Sequence, residues 1–196
     1  MKEPFDVTRD LGNFFKDYLV EKIRTGDIKS SRKIDGVHSL REHIGLTVLS
    51  FFLTEFMKSD FVPAINNKNY DDGVIADRKG GTFFPVEQVY IYEKAWDNNV
   101  IEGVRVVLGK KIDKGSEYAK NNWLLIFCNA IGTFNPDDTE EYVRKTSFET
   151  IVIFGPTGEA EFSYTLYVLK YDDKISKLLY ALSISPEGKA TLTDLN

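Results

Sequence analysis

The chain has 196 residues, 42% hydrophobic and 28% charged, with a formal net charge of −5 and a pI near 5.2. That size suits one domain with a substantial core, and the acidic balance argues against a surface that binds nucleic acid everywhere by charge, leaving only local basic patches. No run approaches the ~18 to 20 consecutive apolar residues of a membrane span, "MKEPFDVTRD" lacks a secretory pattern, and the single cysteine, Cys128, rules out an internal disulfide, so a reducing, cytoplasmic setting is expected.

In chain order, Thr8 can cap a helix through "RDLGNFFKDYLVEKIRTG", where Leu11, Phe14, Phe15, Tyr18, Leu19 and Ile23 recur at helical spacing and Gly26 supplies a stop. Residues 26 to 37, "GDIKSSRKIDGV", read as a polar connection. Ser39 followed by Glu42 is a capping-box pattern ahead of "HIGLTVLSFFLTEFMK". Leu40, Ile44, Val48, Phe52 and Phe56 mark one face of that helix, and Leu49, Phe51 and Leu53 widen it until it belongs inside a core. Strands are expected at 73 to 77 and 83 to 92, joined by a turn at Lys79-Gly80-Gly81.

Residues 100 to 114, "VIEGVRVVLGKKIDK", carry β-branched side chains that suit a strand. Ile101, Val104, Leu108 and Ile112 nevertheless fall at helical spacing, and a helix is expected. "NWLLIFCN" reads as a strand buried on both faces, in which Cys128 is a small hydrophobe. Pro136 and the acidic first turn of "PDDTEEYVRKTS" start a short helix, and "ETIVIFG" is another buried strand. The remainder reads as strands with turns at Asp172-Asp173 and Pro186-Glu187-Gly188. Helices interleaved with strands and followed by hairpins imply a single α/β domain over 1–196, with a mixed sheet flanked by helices.

One residue disturbs this apolar pattern. Alternation in "FFPVEQVYIY" sets Phe83, Pro85, Glu87, Val89 and Ile91 on one face and Phe84, Val86, Gln88, Tyr90 and Tyr92 on the other. Both faces are apolar, so Glu87 enters a region poor in water and needs a partner. A lysine or arginine from a helix would satisfy it. So would a divalent cation shared with Asp72, since carboxylates from neighbouring strand ends, with waters and phosphate oxygens, are what Mg²⁺ prefers.

"NYDDGVI", a turn and then "FPVEQVYI" together resemble the core of the restriction-endonuclease-like, PD-(D/E)xK nuclease superfamily. In that family an aspartate opens one strand and an acidic-x-lysine triplet lies on the next. "SLREHIGLTVLSFF" looks like the first core helix, which often contributes a glutamate. "LGKKIDKGSEYAKNNWLLIF" is similar to the crossover: a basic helix, a tyrosine and a buried strand. The resemblance covers residues 39–130, preceded by an N-terminal helix and connection over 1–37 and followed by a helix and hairpin-rich completion of the sheet over 131–196.

The resemblance implies a metal-dependent nuclease acting on nucleic acid. Asp72 and Glu87 would hold Mg²⁺ or Mn²⁺, and Glu42 is a candidate helix glutamate, a role it shares with helix capping. The sequence departs from the pattern at Asp71, in place of the motif proline, and at Val89, where the lysine belongs. Lys94, seven residues past Glu87, is roughly 23 Å away along an extended strand and too far to replace it. Lys110 or Lys111 on the crossover helix could reach back. The alternative is a catalytically inactive member of the fold, serving as a binding or interaction module with Glu87 neutralised internally. A third possibility is an acidic, nucleic-acid-mimicking surface that neutralises a basic protein partner.

Other motifs point nowhere. His38 and His43 lack clustered Cys/His partners for zinc. "GPTG" at 155 to 158 has no following lysine-serine pair and reads as a turn. Tyr164, Tyr167, Tyr171 and Tyr180 are read as packing residues, with a stacking surface as the alternative.

Overall fold

Helix α1 (Leu40–Met57) starts one residue after Ser39, where the capping-box pattern puts it. The computed structural model describes residues 40 to 64, 73 to 92, 100 to 129, 133 to 157, 163 to 185 and 189 to 196; the helix expected from Thr8 lies outside them. Every residue of α1 from Gly45 to Leu53 is buried, as its wide apolar surface requires. Lys58, with φ 53°, ends the helix in the left-handed region.

The chain is mixed α/β, with eight strands among the described residues, and it divides into two compact units. The first comprises residues 1 to 86 and 183 to 192. In it α1 packs on a short strand, β1 (Phe61–Ala64), and on β2 (Gly73–Asp77). β1 escaped the sequence reading because four residues, one of them Pro63, give too short an alternation to see. β2 pairs antiparallel with β1 and with the start of β3 (Thr82–Tyr92), in the register Gly73↔Val86 through Asp77↔Thr82. Gly81, with φ 68°, closes the connecting turn, where its N–H donates to the Asp77 carbonyl at 2.8 Å. At Gly73 α1 comes close: a Cβ there would lie 2.2 Å from Leu46 Cδ1.

The second unit comprises residues 87 to 182 and 193 to 196. The rest of β3 leads to helix α2 (Val100–Asp113), the single turn α3 (Ser116–Ala119) and strand β4 (Trp123–Asn129). A 3-10 turn (Pro136–Thr139) and α4 (Glu140–Lys145) then carry the chain to β5 (Thr150–Pro156), which pairs parallel with β4. β6 (Ser163–Tyr171) returns antiparallel to β5. It turns into β7 (Lys174–Ile184) at Asp172 and Asp173, both with positive φ as a two-residue hairpin demands. β8 (Ala190–Asp194) follows, with its residues 190 to 192 counted in the first unit.

The core of this unit gathers Val104, Leu108, Leu124, Ile126, Ile151 and Ile153 from α2, β4 and β5, with Ile91 from β3. Trp123 to Ile126 are all buried, so both faces of β4 are covered. Among the described residues no helix is long and apolar enough to cross a membrane.

Candidate functional site

Glu87 and Lys111 meet because two periodicities bring them to one seam of the second unit. On β3, Val89 and Ile91 pack against the core that α2 builds, and alternation puts Glu87 on the same side. On α2 the buried positions are Val100, Gly103, Val104, Val107, Leu108 and Lys111. The last three belong to one i, i+3, i+4, i+7 stripe starting at Val104.

The buried stripe is therefore not the one read from Ile101, Val104, Leu108 and Ile112. Ile101 and Ile112 are half-buried, and a lysine takes the last place on the inner face. A lysine can occupy it because a carboxylate waits there, and its four-carbon stem covers apolar surface on the way.

Lys111 Nζ donates to Glu87 Oε1, and the two side chains are only 9% and 14% exposed. Lys114, in the turn after α2, brings a second ammonium to 3.8 Å from the same oxygen, with its side chain 49% exposed. Both lysine contacts are to Oε1.

Tyr118 on α3 joins the two lysines. Its hydroxyl accepts from Lys114 Nζ at 3.0 Å and from Lys111 Nζ at 3.3 Å. The Lys114 ammonium also lies 4.2 Å from the centre of its ring, a cation–π distance. Gly115, with φ 90°, makes the bend that sets α3 back toward the end of α2. The ring stands edge-on to fully buried Phe148, with centroids 6.2 Å apart, which fixes it from the core side.

The expected site residues fare differently. Lys111 reaches Glu87; Lys110, one residue earlier, is exposed on α2 and is not among the partners of Glu87. Val89, at the position of the motif lysine, packs against the core and contributes no charge. Asp72 lies outside the described residues, and Glu42 falls in the first turn of α1 with its side chain likewise outside them. Among the described residues no three His, Cys, Asp or Glu side chains group as a metal site.

Sequence reasoning missed Lys114 and gave Tyr118 no place in the site; the spacings of three, from Lys111 to Lys114, and four, from Lys114 to Tyr118, do not mark one helical face, because α2 ends at Asp113 and Gly115 turns the chain before α3. Cys128 is buried as expected, and burial pushes its thiol up to about 12. Tyr164 is buried against Phe154, with ring centroids 6.0 Å apart, and Tyr167 packs edge-on to Phe134. These two tyrosines are packing residues.

No protein-family description and no curated protein matches the chain. Among solved structures, the central domain of yeast acetyl-CoA carboxylase is similar over 75% of this chain, with 12% identity and a TM-score of 0.32. The chain spans 26% of that protein's length, and likeness at this level carries no argument about fold or activity.

Proposed function

We propose that the chain is a nuclease-derived protein acting on the phosphodiester backbone of nucleic acid, with a restriction-endonuclease-like core and Glu87 and Lys111 as its acid–lysine pair. One observation carries the reading: a strand carboxylate and a helix lysine meet in the second unit. That contact supplies through space the pairing that Val89 breaks along the strand. The order of helix, strands, basic helix and buried strand from α1 to β4, with β1 as an extra strand after α1, supports the reading.

In this reading Glu87 holds Lys111 in place and is a ligand for a divalent cation. The resemblance would add Asp72 and Glu42 as further carboxylate ligands. Glu87 fits such an ion in type, as an oxygen ligand. A Mg²⁺ or Mn²⁺ ion held there would supply Lewis acidity toward a phosphodiester. Lys111, held on Glu87, would orient an attacking water, part of the work of the motif lysine.

Incubation of single- and double-stranded DNA and RNA with Mg²⁺ or Mn²⁺ tests this. Cleavage is expected, and Glu87→Ala should abolish it. Cleavage that survives the substitution sinks the mechanism.

A second reading has its own support in the low exposure of both partners of the Glu87–Lys111 pair. A carboxylate already neutralised by a buried ammonium needs no metal, as in a catalytically inactive binding or interaction module. In that case no nucleic acid is cut under any divalent cation, and metal leaves the protein's stability unchanged.

A further inference from the structure

The two lysines at Glu87 are not equivalent. Lys111 is buried to 9% side-chain exposure on its carboxylate, and moving it away would strand both charges in a region poor in water. Lys114 is 49% exposed and stands 3.8 Å from Oε1, within Coulombic reach but beyond a hydrogen bond. An ammonium carries three donors. Its contact in the structure is with the Tyr118 hydroxyl at 3.0 Å, while the ring face 4.2 Å away limits where the side chain can go. Phe148 in turn holds that ring. Lys114 is thus an oriented, half-exposed cation beside a buried acid–lysine pair.

We infer that Lys114 is the phosphate-contacting residue of this site, positioned by Tyr118, and that its ligand is a backbone phosphodiester oxygen of nucleic acid. This rests on the phosphodiester reading above and extends it by dividing the labour: Lys111 stays on Glu87 while Lys114 meets the incoming anion. Each phosphate neutralised by a lysine releases condensed counterions, so the contact has a signature in salt dependence that a structural lysine lacks.

The experiment uses the full chain in metal-free, EDTA-containing buffer, so that binding is read without cleavage. End-labelled single-stranded oligonucleotide and its duplex are titrated by fluorescence anisotropy across a salt series, with inorganic phosphate as competitor at matched ionic strength. Lys114→Ala should weaken binding about two- to fivefold, the range of one exposed ion pair. It should also lower the slope of log K against log salt by about 0.9 for the duplex or about 0.7 for the single strand. Lys114→Arg should restore the slope, and Tyr118→Phe should weaken binding while keeping it.

If wild type binds the oligonucleotides and Lys114→Ala matches it in affinity and slope, the inference is overturned and the nuclease reading stands. Wild type that binds neither oligonucleotide nor phosphate overturns both. Phosphate binding lost in Lys114→Ala, with no oligonucleotide binding, overturns the backbone assignment and makes free phosphate the ligand.

Discussion

Replacing Glu87 by Gln removes one charge and little volume, and its consequence can be worked from the surroundings. An exposed ion pair contributes ~0 to 1 kcal/mol, whereas breaking a buried one costs about 3 to 5 kcal/mol. Side chains 9% and 14% exposed fall nearer the buried limit, but an amide oxygen can still accept from Lys111. Loss of the carboxylate also leaves the Lys111 and Lys114 ammonium groups facing each other across the Tyr118 hydroxyl. A cost of about 2 kcal/mol follows, which for a chain of this size lowers Tm by about 4 to 8 °C. Thermal melts of wild type, Glu87→Gln, Lys111→Met and the double variant measure it. The double variant should be more stable than the two single losses predict, with a coupling of about 1 to 2 kcal/mol. A Glu87→Gln protein within about 0.5 kcal/mol of wild type, with additive losses, would refute a stabilising pair. The same melts with Mg²⁺ or Mn²⁺ separate the functional readings. Metal bound only to the native state raises stability by about 2.7 kcal/mol at a concentration of 100 Kd, and Glu87→Gln should abolish that rise. A destabilised variant with no metal response in wild type leaves the inactive module in front.

Gly155→Ala should destabilise by about 1 to 3 kcal/mol, because its Cβ would stand 2.6 Å from the Cys128 carbonyl oxygen, a backbone atom of β4 with nowhere to move; urea denaturation measures the loss. Cys128, its thiol raised by burial to about 12, should resist a thiol reagent at about pH 8 until urea opens the fold, and rapid labelling of native protein would contradict its burial. Asp77 is held below its ordinary 3.8, first by the Ser59 hydroxyl and then by backbone N–H groups including that of Gly80. A depressed folded pKa means stability present above that ordinary value and lost as pH falls through the lower folded one. Asp77→Asn should therefore flatten the acid limb of the stability profile, and an unchanged limb in urea midpoints below about pH 4 would count against this role. Lys110→Ala, on an exposed side chain of α2, should change stability by less than about 0.5 kcal/mol, in contrast to Lys111→Met.

The sequence by itself determined much of the secondary structure, for local reasons. The Ser39/Glu42 pattern and a wide apolar face specify α1, and continuous hydrophobic runs specify β4 and β5. Asp172-Asp173 accepts the positive φ of a two-residue hairpin. The sequence also showed that Glu87 needed a partner, since a carboxylate between two apolar faces cannot stay unpaired.

Which partner it has is a tertiary fact. Lys110 and Lys111 are equal in a linear reading, and the apolar pattern even favoured a stripe ending at Ile112 over one ending at Lys111. The helix rotates by the packing of Val104, Val107 and Leu108 against the sheet, and that rotation turns Lys111 inward and Lys110 to solvent. Lys114 and Tyr118 join them because Gly115 bends the chain and Phe148 fixes the ring. Neither event leaves a trace in local periodicity: helix phase and loop direction are set by side chains distant in sequence, so the choice of lysine belongs to the fold.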